Sequence, residues 1–210
     1  MKSETVCVIG LGYIGLPTAA LLASNDYRVI GVDRNAQVVE TINQGKIHIV
    51  EPALHAFVRS AVTTNRFKAF TTPQRSDIYI ICVPTPFHEG ADTNHQFRQL
   101  PSHSESTPCK KPMADGVAVD GTPQPNIDYI LVATRGIAPL VKPGDLVILE
   151  STSPVGTTRR IAEILADKLG QSDVDVSRIH IAYCPERVLP GKTMTELVEN
   201  DRVVGGLTPE

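Results

Sequence analysis

An α/β fold of the Rossmann type, a doubly wound and mainly parallel sheet with helices on both faces, is predicted by three observations. An apolar strand over residues 5–9 runs straight into Gly10, Gly12 and Gly15. A second apolar strand, Arg28-Val-Ile-Gly-Val32, ends in Asp33, 18 residues after Gly15, close to where a ribose-binding carboxylate belongs in such folds. Beyond it, short apolar runs alternate with helical patterns along the chain, the signature of a sheet wound on both faces.

The elements follow in order. The glycine spacing opens a helix over 13–24: Gly10 permits the tight turn, Gly12 removes a Cβ that would block phosphates, and Gly15 lets the helix pack close to its strand. After Asp33 the pattern gives a helix over 36–44, a second starting at Pro52, and a short strand over 67–70. A clear strand over 78–83 is stopped by Pro84-Thr-Pro86. A helix over 127–138, a strand over 146–149, a helix over 157–169 and a strand over 179–182 complete the sheet. Between 87 and 124 the chain is rich in Pro, Ser, Thr, Gly, Asp and His, with no period of 2 or 3.6; it reads as a long surface insertion, with a lid over the ligand crevice as the other reading.

The glycine loop and Asp33 together predict a dinucleotide site. A carboxylate at Asp33 accepts both ribose hydroxyls and repels a 2′-phosphate, which favours NAD over NADP. Arg34 is the counter-signal, since a guanidinium there accommodates a phosphate, lies over the adenine or points into water.

Composition bounds the rest. The 210 residues are 41% hydrophobic with a net charge of −3, which describes a globular chain without a basic face for nucleic acid or an anionic membrane. The first residues pass directly into a strand, with no apolar stretch suited to a signal peptide or membrane span, so a cytoplasmic location is expected. Of the four cysteines, Cys7 and Cys82 sit in apolar strand runs and read as packing thiols, Cys109 lies in a polar loop and Cys184 follows a strand. No CxxC appears, and His95, His103 and Cys109 match no zinc spacing, so no metal is expected.

The remaining candidates sit at strand ends, where an open α/β sheet binds ligands. Thr85, the loop Glu150-Ser-Thr-Ser-Pro-Val-Gly156 and the loop Tyr183-Cys-Pro-Glu-Arg-Val-Leu-Pro-Gly191 should converge beside the glycine loop. Thr85 and Thr152 offer hydroxyls to the cofactor, and Glu186 a carboxylate that orients or activates water. Turn chemistry at Thr85, helix capping by Thr152 or Ser153, and a solvated charge at Glu186 are the plainer alternatives.

Five segments in order, GLGYIGLPTA, HIVEPAL with Glu51-Pro52, CVPTP, ESTSPVGTT and YCPERVLPGK, resemble the nucleotide-sugar 6-dehydrogenases, the UDP-glucose and GDP-mannose dehydrogenase family. IHIVEP, ESTSPVG, YCPERVLPG and NDRVVGG resemble its acetamido-sugar branch, whose substrate is a UDP-linked N-acetylated mannose. The resemblance implies oxidation of a sugar C6 alcohol through the aldehyde to the carboxylate with two NAD in succession. In that family a cysteine captures the aldehyde as a thiohemiacetal, which becomes a thioester that water hydrolyses. It further implies NAD contacts from Gly10, Gly12, Tyr13, Ile14, Gly15, Asp33, Thr85 and Thr152, a supporting catalytic role for Glu186 and Thr152, and a sugar-nucleotide pocket lined by Glu186, Arg187 and Val188.

Two departures from the family shape the expectation. The chain stops at Glu210, ahead of the family's catalytic Lys and nucleophilic Cys, its UDP-binding domain and most of its homodimer contacts. Residues 1–210 therefore read as the NAD-binding domain, binding cofactor without turnover, and Cys184 matches the cysteine of the YCPER loop, not the nucleophile. The insertion at 87–124 is also longer than the family's usual connection. Competing readings are a stand-alone, non-catalytic NAD-binding module or partner subunit, and a β-hydroxyacid-type dehydrogenase, which leaves YCPERVLPGK unexplained.

Overall fold

The computed structural model describes residues 4–87, 125–169 and 178–207. Among them a seven-stranded sheet runs in the order β3-β2-β1-β4-β5-β6-β7. β1 (Thr5–Ile9), β2 (Arg28–Val32), β3 (Phe67–Phe70), β4 (Ile78–Ile81), β5 (Leu146–Leu149) and β6 (His180–Tyr183) are all parallel to their neighbours. The order reverses direction on either side of β1, so the carboxyl ends of β1 and β4 flank the crevice where such sheets bind ligands.

The helices follow from apolar spacing. In α1 (Gly15–Ser24) Leu16, Ala19, Ala20 and Ala23 recur at i, i+3, i+4 and i+7 and are fully buried, which gives one stripe facing the sheet. α3 (Leu54–Thr63) buries Leu54, Val58 and Ala61 beside it. With the shorter α2 (Ala36–Asn43), these helices cover one face over Val6, Val8, Val29 and Phe67. On the other face α4 (Asp128–Ile137) buries Ile130, Ala133 and Ile137 and α5 (Thr157–Leu169) buries Ile161 and Leu165, against Cys7, Ile9, Tyr79, Val147 and Leu149. Because both faces are covered, the central strands read as near-continuous apolar runs.

The expected elements are present with small shifts. α1 starts at Gly15, not residue 13, and α3 at Leu54, not Pro52. β4 ends at Ile81, two residues before the expected end, and β6 lies one residue later than expected. Two elements lie outside the expectation: α6 (Thr193–Glu199) and β7 (Gly205–Gly206), which pairs antiparallel with β6. α6 has a short polar sequence, TMTELVE, and β7 is two glycines, so neither carries a periodic signal. α6 is held by a distant residue, Glu51, whose buried carboxylate accepts the Gly191 amide at 2.8 Å and the Met194 amide at 3.4 Å. An acidic group at these amides satisfies donors that a helix start leaves open.

The insertion leaves and rejoins the fold at one place. Phe87 and Pro125 form an antiparallel bridge, and the Asn126 amide donates to the Pro86 carbonyl at 2.6 Å. Residues 88–124, with His95, His103 and Cys109, lie outside the described residues.

Candidate cofactor site

A cleft of about 780 Å³ opens at the carboxyl ends of the strands, within the size range of small-molecule sites. It is lined by Gly10, Gly12, Tyr13 and Ile14 of the glycine loop, by Asp33 and Arg34 after β2, by Thr85 after β4, by Glu150 and Thr152 after β5, and by Glu186 after β6. The three strand-end loops thus converge on the glycine loop. Gly15 is buried directly behind the lining, whereas Arg187 is exposed and, like Val188, stands outside it.

The three glycines serve different ends. Gly10 has φ +92°, and a Cβ there would stand 2.7 Å from the Cys82 carbonyl oxygen. A Cβ on Gly15 would stand 1.8 Å from the Gly10 carbonyl oxygen. Both positions are therefore closed by protein. Apart from its own chain neighbours, a Cβ on Gly12 would meet no protein atom within 4 Å, although Gly12 lines the cleft. The open position faces the cleft and leaves room for a ligand, and a dinucleotide pyrophosphate against the loop amides and the start of α1 fits it.

Asp33 is anchored to this loop. Its Oδ2 accepts the Leu11 amide at 3.2 Å and its Oδ1 the Asn35 amide at 2.9 Å. The carboxylate is thereby fixed at the cleft edge with lone pairs remaining for ribose hydroxyls. Arg34, the counter-signal to NAD, has its guanidinium carbon 5.4 Å from the centroid of the Tyr129 ring, within cation–π range. Both residues line the cleft, so the guanidinium is engaged with a ring and not extended toward a phosphate.

The opposite wall is built from charge. Glu150 and Glu186 each have side chains 4% exposed, and Arg202, at 32%, bridges them. Arg202 Nη1 donates to Glu150 Oε1 at 3.1 Å, and Nη2 pairs with Glu186 Oε2. Glu186 Oε1 accepts the amide of Arg187 at 2.9 Å. Glu186 is therefore not a solvated turn charge. The other oxygen of Glu150 receives the Cys82 thiol at 3.2 Å and the Thr18 hydroxyl at 3.4 Å.

Burial pushes the Glu150 carboxyl above its ordinary value, against the opposing pull of the Cys82 hydrogen bond and the Arg202 charge. Burial, and then the Glu150 charge beside it, push the Cys82 thiol well up, so Cys82 is a donor and not a nucleophile. Cys7 is raised to about 11 by burial, as expected of a packing thiol. Ser151 ties the wall to the end of β4 and the loop after it by donating to the Ile81 carbonyl at 3.2 Å and the Val83 carbonyl at 2.7 Å. Thr85 and Thr152 line the cleft, the first half-buried and the second exposed.

Sequence reasoning singled out Gly10, Gly12, Asp33, Thr85, Thr152 and Glu186, all of which line the cleft, but not Glu150, which lines it as well, or Arg202, which pairs with both carboxylates. Glu150 stood unremarked at the head of the ESTSPVG loop, and Arg202 lay within NDRVVGG. A carboxylate directly after an apolar strand was the available signal for the first; nothing local marks the second, 52 residues away.

Comparison with known proteins gives the family. Residues 4–210 match the model of the UDP-glucose/GDP-mannose dehydrogenase family, NAD binding domain. UDP-N-acetyl-D-mannosamine dehydrogenase of Campylobacter jejuni is 49% identical over 210 residues, covering 97% of this chain and 44% of that protein. The Escherichia coli K12 protein of the same name is 46% identical, covering all of this chain and 43% of its own length. The solved UDP-N-acetyl-mannosamine dehydrogenase of Staphylococcus aureus superposes with a TM-score of 0.76 at 32% identity, covering 98% of this chain and 42% of that one. The chain thus spans less than half the length of the relatives it matches. Among the described residues no helix is long and apolar enough to cross a membrane.

Proposed function

The chain belongs to the UDP-glucose/GDP-mannose dehydrogenase family as its NAD-binding domain, and from that premise we propose that it supplies the cofactor-binding share of a nucleotide-sugar oxidation. The substrate in this reading is a UDP-linked N-acetylmannosamine, whose C6 alcohol becomes a carboxylate. The similarity to proteins named for that activity supports the choice of sugar.

The observation that carries the reading is the open Gly12 between the closed Gly10 and Gly15, with Asp33 bonded to the same loop. Gly10, Gly12, Tyr13, Ile14 and Gly15 hold the pyrophosphate, and Asp33 holds a ribose. Thr85 and Thr152 bond the nicotinamide half. NAD held there would supply the hydride acceptor for the sugar carbon, two NAD being needed for each sugar. Glu186, fixed by Arg202 and the Arg187 amide, orients a water and the sugar C6 and is available to accept a proton. Arg187 and Val188, on the rim of the same loop, approach the sugar nucleotide.

The chain alone binds NAD and does not turn over the sugar. Among the described residues the cysteine lining the cleft is Cys82, whose thiol donates to Glu150, and Cys184 is buried. The Cys82 thiol is engaged by Glu150 and Cys184 lies outside the cleft lining, so neither is placed for the covalent capture of an aldehyde. The test is NADH formation followed optically with UDP-N-acetylmannosamine and the purified chain, alongside equilibrium NAD binding. Binding without turnover is the expected result; sustained turnover, or absence of NAD binding, contradicts the proposal.

A further inference from the structure

The charges around the cleft are unevenly divided. On the β2 side Asp33 and Arg34 both line it and offset one another. On the β5 and β6 side Glu150 and Glu186 line it, and among the described residues no cationic side chain does. Arg202 pairs with both carboxylates but stands outside the lining. Two carboxylates against one guanidinium leave this group one unit negative, and of the three residues the two glutamates line the cleft while Arg202 does not. The wall is also shielded from water, since both carboxylate side chains are only 4% exposed, so its field is weakly screened.

The orientation of a bound dinucleotide follows from the loops. With a ribose on Asp33 and the pyrophosphate on the glycine loop, the other half of the molecule extends over the carboxyl ends of β4 and β5. That half carries the nicotinamide ring, which bears a positive charge when oxidised and none after accepting a hydride. Given the NAD reading above, we infer that the Glu150–Arg202–Glu186 triad makes the cleft discriminate between the two redox forms, holding NAD+ against its nicotinamide end and loosening NADH once the ring charge is gone. Glu150 and Glu186 are then specificity-determining residues for cofactor oxidation state, and Arg202 positions them. The device suits a reaction that consumes two oxidised cofactors in succession, because each reduced one must leave before the next enters.

The test is equilibrium binding of NAD+ and of NADH to the unmodified chain and to Glu150→Gln and Glu186→Gln, at pH 8. Each substitution removes one charge from the wall while keeping the side chain's size. The ratio Kd(NADH)/Kd(NAD+) is expected to fall on the order of tenfold in each variant, through weaker NAD+ binding, since a unit charge near contact distance in a partly shielded site is worth at least that. Thr152→Val, an uncharged change in the same wall, is expected to move both affinities together. Circular dichroism of each variant reports folding, and the two glutamate variants are independent of one another. A ratio unchanged within twofold in folded Glu150→Gln or Glu186→Gln, with both cofactor forms still binding, overturns the inference while leaving the NAD reading intact. Failure of the unmodified chain to bind either form removes both.

Discussion

The two ends of the cleft are built by different physics. At the β1–β2 end the site is made by backbone: two glycines stand where a Cβ cannot fit, a third faces open space, and a single carboxylate is held by amides 22 residues or fewer away. At the β5–β6 end it is made by side chains brought from far apart. Arg202 reaches Glu150 across 52 residues, and Glu150 in turn takes the Cys82 thiol across 68 and the Thr18 hydroxyl across 132. The first end depends on what the chain lacks at given positions, the second on a buried balance of charge. They should therefore fail in different ways.

The largest effect is expected at the charged end. Arg202→Met strands two buried carboxylates, and losing one partner of a buried ion network costs about 3–5 kcal/mol. Urea denaturation should register that loss, and adding Glu150→Gln to Arg202→Met should recover part of it. A loss below about 1 kcal/mol would place the triad in solvent-like surroundings and erase the distinction between the two ends.

At the glycine end the cost is steric. Gly15→Ala puts a methyl group 1.8 Å from the Gly10 carbonyl oxygen, so loop and helix must part. About 3 kcal/mol of stability, the upper part of the usual cost of overpacking, and all measurable NAD binding should go together. Gly12→Ala sharpens the point. With no protein atom beyond the chain neighbours within 4 Å of the added carbon, stability should stay within about 0.5 kcal/mol, as for a surface change, while NAD binding weakens on the order of tenfold. That conclusion rests on the pyrophosphate occupying the space. Equal NAD affinity in Gly12→Ala and the unmodified chain would show that the space is not the ligand's.

The smallest effect is a slope. Burial raises the Glu150 carboxyl above its ordinary value, so the folded chain binds that proton more tightly than the unfolded one. Stability from this group is then greatest below the ordinary carboxylate range and falls as pH rises through the raised value. Thermal melts between pH 4 and 8 should show a shallower decline in Glu150→Gln than in the unmodified chain. Identical slopes would mean that Glu150 titrates as a solvated acid.

The same division explains what was legible in the sequence. Gly10, Gly12, Gly15 and Asp33 are read from spacing, because each answers a local steric or hydrogen-bonding demand. The buried strands and the helices α1 to α5 are read from apolar runs and the 3.6-residue period, with ends shifted by one or two positions. α6 was not legible because its anchor is Glu51, 140 residues from Gly191, and β7 because two glycines carry no pattern. Thr85, Thr152 and Glu186 were legible as strand-end residues, which is where this fold gathers ligands. That Glu186 is buried and paired was not, because its partner Arg202 arrives through the β6–β7 turn-back.

The central claim is that the cleft takes NAD with a ribose on Asp33. Calorimetric titration of the chain with NAD and with NADP, repeated on Asp33→Ala, tests it most directly. The account predicts that NAD binds, that NADP binds at least tenfold more weakly, and that the substitution weakens NAD and narrows the gap between the two. NADP binding as tightly as NAD, or NAD affinity unchanged by Asp33→Ala, would contradict it.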